Sequence, residues 1–268
     1  MKNTKYQQEL NLAKYLAVQA GNAIMPIYYG DMSVSWKEDK TPVTNADLLA
    51  NQLIQEGIQK RFPLDGIVSE ELAAIEGSRC WYIDPIDGTR SFVEHTDQFA
   101  VHIGLAVGSE AVMGVVYKPV SQEIYFAEKD QGAYCLSPLG NKKLLNVQKH
   151  KKIISAMDKG DLTRPLYQEL VQALSISRTI ISGSEGLRVM KVAEGITDVH
   201  FNLDASKCSS WDLCAPQIIA EEAGAYVRFT DGTPILYERQ QKLGKTFIVA
   251  NSKDLAERIS GLIYNKVN

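Results

Sequence analysis

The chain has 268 residues, 45% of them hydrophobic and 23% charged, with a formal net charge of −3 at pH 7. That length buries a substantial core in one large domain or two small ones. With no basic half, the chain is a poor partner for a nucleic-acid polymer. Apolar runs as short as "FAVHIGLAVG" at 99–108 argue against a membrane-spanning helix.

The opening "MKNTKYQQEL" lacks the apolar stretch of a secretory signal. Cys80, Cys135, Cys208 and Cys214 are scattered with no C-x-x-C pair, so buried, reduced thiols and a cytoplasmic location are expected. Leu10, Ala13, Leu16, Ala17, Ala20, Ala23, Ile24 and Ile27 recur at steps of three and four. They predict an amphipathic helix kinked at Pro26 and ended near Gly30. A second helix is capped by Thr44 or Asn45 and runs through Leu49, Leu53, Ile54 and Ile58. Short strands follow at Ile67–Val68 and Trp81–Asp84.

From 98 to 147 the runs "QFAVHIGLAV", "AVMGVVYKPV", "EIYFAE" and "GAYCL" predict an antiparallel meander. The basic "KKLLNVQKHKK" at 142–152 reads as a loop or solvated face. Beyond 150 strands and helices alternate. Strands are expected at 152–156, 178–182, 197–203, 225–229 and 246–250; helices are expected at 164–174, 186–194, 211–223 and from 253. This divides the chain into an α+β half, 1–150, and an α/β half, 151–268.

Acidic residues stand at predicted element ends: Asp47 in "PVTNAD", Glu70 and Glu71 in "VSEE", Asp84 and Asp87 in "DPIDGT", and Asp212 in "WDLCAP". Taken alone, "DPIDGT" is a good turn and helix cap, because Pro fixes φ, Asp accepts from backbone and Gly relieves strain. Its setting points elsewhere. The apolar "CWYID" places Asp84 at the C-terminal end of a buried strand, and "DGTRS" then offers amides and a hydroxyl suited to phosphate. Hard carboxylate oxygens beside an anion nest fit Mg²⁺ better than zinc, and His95, His102, His150 and His200 show no ligand spacing.

"DPIDGT", with "SEE" upstream and "WDLCAP" downstream, resembles the inositol monophosphatase superfamily of Mg²⁺-dependent, lithium-sensitive phosphatases. With "TPVTNAD" these motifs span residues 41 to 217 in that family's order. The resemblance implies a layered α/β/α/β/α sandwich, the fold also of the fructose-1,6-bisphosphatase type. It implies two or three Mg²⁺ ions held by Glu70, Asp84, Asp87, Asp212 and the backbone carbonyl of Ile86. Asp47 and Thr89 would orient the attacking water, Gly88 and Thr89 would hold the phosphate, and Glu71 would stand behind the ligands or in solvent.

"DKTPVTNAD", the Ser of "SEE" and "WDLCAPQ" are similar to the 3'(2'),5'-bisphosphate nucleotidase branch. In the substrate-side segment "GSEGLR", Gly183, Ser184 and Gly186 match substrate contacts, and Arg188 falls where that branch carries a basic residue suited to a second phosphate. Other residues depart from the branch. "ISAMDKGD" lacks its S-R-S-H-like run, and Ile86 is commoner among inositol phosphatases. The expected substrate is 3'-phosphoadenosine 5'-phosphate. The alternatives are an inositol or sugar phosphate, histidinol phosphate, or a non-catalytic metal-binding role, and for Arg188 a solvated helix position.

Overall fold

A computed structural model describes residues 4–36, 42–239 and 241–267. Asp39, Lys40 and Thr41 of "DKTPVTNAD" therefore lie outside the described residues. Helix α1 (Gln7–Tyr29) buries Leu10, Ala13, Leu16, Ala17, Ala20 and Ile24, and continues through Pro26 to Gly30. Strands β1 (Val34–Trp36) and β2 (Pro42–Thr44) pair antiparallel. Thr44 then caps α2 (Asn45–Arg61), its hydroxyl accepting from Ala46 N. Next come β3 (Gly66–Ser69), β4 (Cys80–Asp87) and the short α3 (Thr89–Val93). The meander is β5 (Ala100–Val107), β6 (Glu110–Lys118), β7 (Glu123–Glu128), β8 (Ala133–Leu136) and β9 (Lys142–Leu144). The alternating half is β10 (Ile154–Met157), α4 (Pro165–Leu174), β11 (Arg178–Ile181), α5 (Glu185–Ala193), β12 (Val199–Phe201), α6 (Ser210–Glu222), β13 (Tyr226–Phe229), β14 (Phe247–Ala250) and α7 (Lys253–Val267).

Strands β3 to β9 form one sheet in chain order, antiparallel except for the parallel β3–β4 pair. The second sheet has the order β11-β10-β12-β14-β13, with β10 parallel to both of its neighbours. Both faces of the first sheet are covered, which is why its strands read as nearly unbroken apolar runs. Trp81, Ile83, Ile103 and Val115 pack with α1 and α2 on one face. Tyr82, Val116 and Tyr125 pack on the other face with Leu187 and Val189 of α5, Leu213 and Ile218 of α6, and Val227 and Phe247 of the second sheet. The far side of that sheet packs Met157, Phe201 and Ile248 against Tyr167 and Leu170 of α4 and Ile259 of α7. The layers thus run α1/α2, sheet, α5/α6, sheet, α4/α7: the α/β/α/β/α sandwich. No helix among the described residues is long and apolar enough to cross a membrane, and the four cysteines are buried free thiols.

Candidate active site

The strand expected at Trp81–Asp84 runs on to Asp87, and the extension explains why two aspartates three residues apart can act together. On a regular strand, residues i and i+3 point to opposite faces. Here Asp84 pairs with His102 and Asp87 with Ala100, so β4 advances three residues while β5 advances two. The extra residue is a β-bulge, and it brings the second carboxylate back to the face of the first. Pro85 is tolerated within it because a bulge leaves an amide unpaired. The Ile86 amide donates to Asp84 Oδ1 at 3.0 Å, which orients that carboxylate. Asp84, Asp87 and Asp212 then offer oxygens all within 4.8 Å of one another.

Asp47 and Asp212 arrive by the same local device: each is the third residue of its helix, in a capping box. Asp47 Oδ2 accepts from Thr44 N at 2.7 Å and Thr44 Oγ1 at 2.6 Å, and Asp212 Oδ2 accepts from Ser209 N. One oxygen of each carboxylate is spent on the helix start and the other is left for the site. The Thr89 hydroxyl lies 3.2 Å from Asp47 Oδ1 and 3.1 Å from the Ile86 carbonyl, and its one proton serves one of them at a time. Gly88 between them has φ +94°, and a Cβ there would come 2.8 Å from Gln98 O, so the turn requires glycine on both counts. Glu70 lies outside the group of three, but its charge acts on Asp47, Asp84 and Asp212. The backbone N–H of Glu71 reaches Asn51 Oδ1 at 3.4 Å.

The "GSEG" segment does structural work at the site. Ser184, the cap of α5, donates from Oγ to Asp87 Oδ2. Glu185 N reaches Asp87 Oδ1 at 3.0 Å, and Gly186 N reaches Oδ2 at 2.7 Å. Asp87 therefore sits on the N-terminus of α5, where unpaired amides and the helix dipole favour an anion. Ser184 and Gly186, expected to touch substrate, are buried behind this carboxylate, and the half-buried Gly183 gives its N–H to Gln98 Oε1 at 2.8 Å.

Arg188 is not the solvated helix residue that one alternative allowed, and two of its three guanidinium nitrogens are engaged inside the protein while Nε has no partner among the described residues. At 7% exposure it donates to Ser182 O at 2.7 Å and to Glu185 Oε2 at 2.6 Å, with Asp158 3.9 Å away. Glu185 also pairs with the buried His200, whose other ring nitrogen meets Ala156 O at 2.9 Å. A buried cation is held this way because an unpaired charge there costs more than the chain can spare.

His102 and Gln98 are site residues that the motifs did not mark. His102 is fully buried on β5, with Nε2 3.2 Å from Asp87 Oδ2. The one signal for it was a polar residue interrupting an otherwise apolar strand, "FAVHIGLAV".

Burial, then the charges of Glu70, Asp87 and Asp212, push the Asp84 carboxyl well above the usual carboxylate range. Asp212 is raised likewise by burial and by Asp87 and Glu70, and the two are close enough to share a proton. Burial raises Asp47 too, against the lowering effect of the Thr44 hydrogen bonds. Carboxylates arranged so that protons bind tightly are waiting for positive charge. The donors facing the cluster are hard oxygens, and the nearby Cys208 thiol is pushed up by burial, so it supplies no thiolate. An all-oxygen donor set suits a hard cation such as Mg²⁺ better than zinc.

The fold agrees with that of known proteins similar to this chain. It is 32% identical to the 3'(2'),5'-bisphosphate nucleotidase CysQ of Shigella flexneri, over 83% of this chain and 91% of that protein. It is 29% identical to inositol monophosphatase 1 of Xenopus laevis, over 93% and 90%. The solved extragenic suppressor protein suhB from Bartonella henselae superposes with a TM-score of 0.82 at 25% identity, covering 96% of this chain and 98% of that one. Residues 5–267 match the inositol monophosphatase family as a whole, and the chain belongs to that family.

Proposed function

We propose that this chain is a Mg²⁺-dependent phosphatase of small phosphate monoesters, with 3'-phosphoadenosine 5'-phosphate as its substrate and AMP and phosphate as its products. The observation that carries the reading is the group Asp84, Asp87 and Asp212, with oxygens within 4.8 Å of one another, beside the Asp47–Thr89 hydrogen bond. Asp84, Asp87 and Asp212, with Glu70 and the Ile86 carbonyl, would hold two or three ions. Bound Mg²⁺ supplies the charge that neutralises the phosphoryl oxygens and acidifies water. Thr89 aligns the attacking water with Asp47, whose raised pKa suits a proton acceptor. Gly88 and Thr89 present their amides to the phosphate, and the half-buried Gly183 borders the substrate side. The nucleotide substrate is supported by relatives named as bisphosphate nucleotidases at 29–32% identity. Four buried free thiols fit a cytoplasmic site of action.

The test is phosphate release from 3'-phosphoadenosine 5'-phosphate and from inositol 1-phosphate, with Mg²⁺, with EDTA, and with millimolar Li⁺ added to Mg²⁺. The expected result is Mg²⁺-dependent, Li⁺-inhibited turnover, with the higher kcat/KM on the bisphosphate. Higher kcat/KM on inositol 1-phosphate would overturn the substrate, and equal turnover in EDTA would overturn the metal site.

A further inference from the structure

We propose that β9 and the segment after it dock on an anionic lipid surface, at the end of the molecule away from the carboxylate cluster. From Gln131 to Met157 the chain carries no aspartate or glutamate, in a protein whose net charge is −3. The same stretch carries Lys142, Lys143, Lys149, Lys151 and Lys152, all exposed and none in an ion pair among the described residues. Glu123 feels the charge of Lys143 but pairs with Lys118, at 2.6 Å. Lysines with no acid among them repel one another, and an anionic surface relieves that repulsion. Exposed apolar side chains flank them. Leu139, in the turn between β8 and β9, is 87% exposed, and Leu144 is 51% exposed. Ile196, 43% exposed, follows Gly195, which packs closely against Asn146 and Gln148 of the same segment.

Two helices fix which end of the molecule this is. Asp87 sits on the N-terminus of α5, and Asp212 lies in the first turn of α6. The segment crosses their other ends: Gly195, just past α5, lies against Gln148, and Val147 N donates to the carbonyl of Ala223, just past α6, at 3.0 Å. At 1.5 Å per residue, the 9 residues of α5 and 13 of α6 put about 14–20 Å between this segment and the carboxylates. A surface bound there leaves the candidate active site open to solvent. Acids at this end are turned inward: Glu194 accepts from Tyr125, Glu222 from the amides of Asp130 and Gly132, and Asp198 from His150 and Asn251. Lysines on an edge strand also discourage pairing with another chain, but Lys149, Lys151 and Lys152 lie beyond the strand and need another reason. The chemistry favours lipid over a nucleic acid. No arginine occurs between Arg90 and Arg164, and residues 137–152 include no Phe, Tyr or Trp on which a base could stack. A leucine at a turn tip gains nothing from a phosphate backbone, but it is buried at the boundary of headgroups and acyl chains.

Co-sedimentation of the full chain with vesicles tests this, comparing phosphatidylcholine alone with equal parts phosphatidylcholine and phosphatidylglycerol. Binding should be confined to the anionic vesicles and should fall steeply as salt is raised. Each lysine near such a surface multiplies affinity about fivefold, so Lys142→Gln with Lys143→Gln should weaken binding about 25-fold. Lys149→Gln with Lys151→Gln should do the same from the far end of the segment. Leu139→Ser should cost about tenfold without changing the net charge. These are surface changes, so the melting point and phosphate release should stay at wild-type values and show that each variant is folded. Equal binding to the neutral vesicles, no binding to either at low salt, or wild-type binding by the lysine variants would overturn the proposal. So would tighter binding of a single-stranded oligonucleotide than of the anionic vesicles, which would make the lysines a nucleic-acid site.

Discussion

Replacing Arg188 with alanine tests whether the guanidinium holds the protein or the substrate. Burial by itself would raise the Glu185 pKa, but Arg188 and His200 overcome it and hold the carboxyl well below the usual range. Arg188 has 8% of its side chain exposed and Glu185 10%, so solvent screening does not soften the loss. Removing one partner of a buried pair costs about 3–5 kcal/mol, because the other charge is left behind. Glu185 keeps His200, so the lower end applies, about 3 kcal/mol. At about 2–4 °C per kcal/mol for a chain of this size, the melting midpoint should fall by about 6–12 °C. Glu185 N and Gly186 N of the same helix turn hold Asp87, so any lost activity should be shared by bisphosphate and monophosphate substrates. The assay is a thermal melt of Arg188→Ala beside kcat/KM on 3'-phosphoadenosine 5'-phosphate and inositol 1-phosphate. A variant melting within about 2 °C of wild type and losing only bisphosphate turnover would refute the argument, since a smaller shift than this scale allows means no buried pair was broken.

Asp84→Asn removes one charge from the crowded group while keeping an oxygen for the Ile86 amide. Its melting point in EDTA should rise, and Mg²⁺-dependent phosphate release should fall about a hundredfold or more. The raised pKa values of Asp47, Asp84 and Asp212 mean that the empty folded site binds protons the unfolded chain has already lost. Stability from these groups is present below the ordinary carboxylate value of about 4 and is lost as pH rises through the folded values. Mg²⁺ displaces those protons, so the melting-point difference between Mg²⁺ and EDTA should widen from pH 4 towards neutrality; a difference flat with pH would contradict the assignment. Thr89→Val keeps the shape and removes the hydroxyl near Asp47, so kcat should drop about a hundredfold. The Mg²⁺ concentration for half-maximal activity should stay near wild type, as a parallel rise would make Thr89 a support of the ligands.

The sequence legibly carried whatever is local. The apolar spacing of α1, the Thr44 cap of α2, the meander and the strand–helix alternation after 150 follow from periodicity and capping, which act over a few residues. The motifs likewise marked Asp47, Asp84, Asp87 and Asp212, because a carboxylate at an element end beside an apolar run is itself a local pattern. Three things were beyond it. Whether Asp84 and Asp87 face the same way depends on a bulge, which exists only against the register of β5. What Ser184, Gly186 and Arg188 do depends on Asp87, about a hundred positions earlier, and on His200 across a second sheet. His102 looked like one more residue of a buried strand until β4, α5 and α6 closed around it. Side chains declare their chemistry in the sequence, but whether a charge meets solvent, substrate or another charge is settled by long-range packing, and only the tertiary structure decides it.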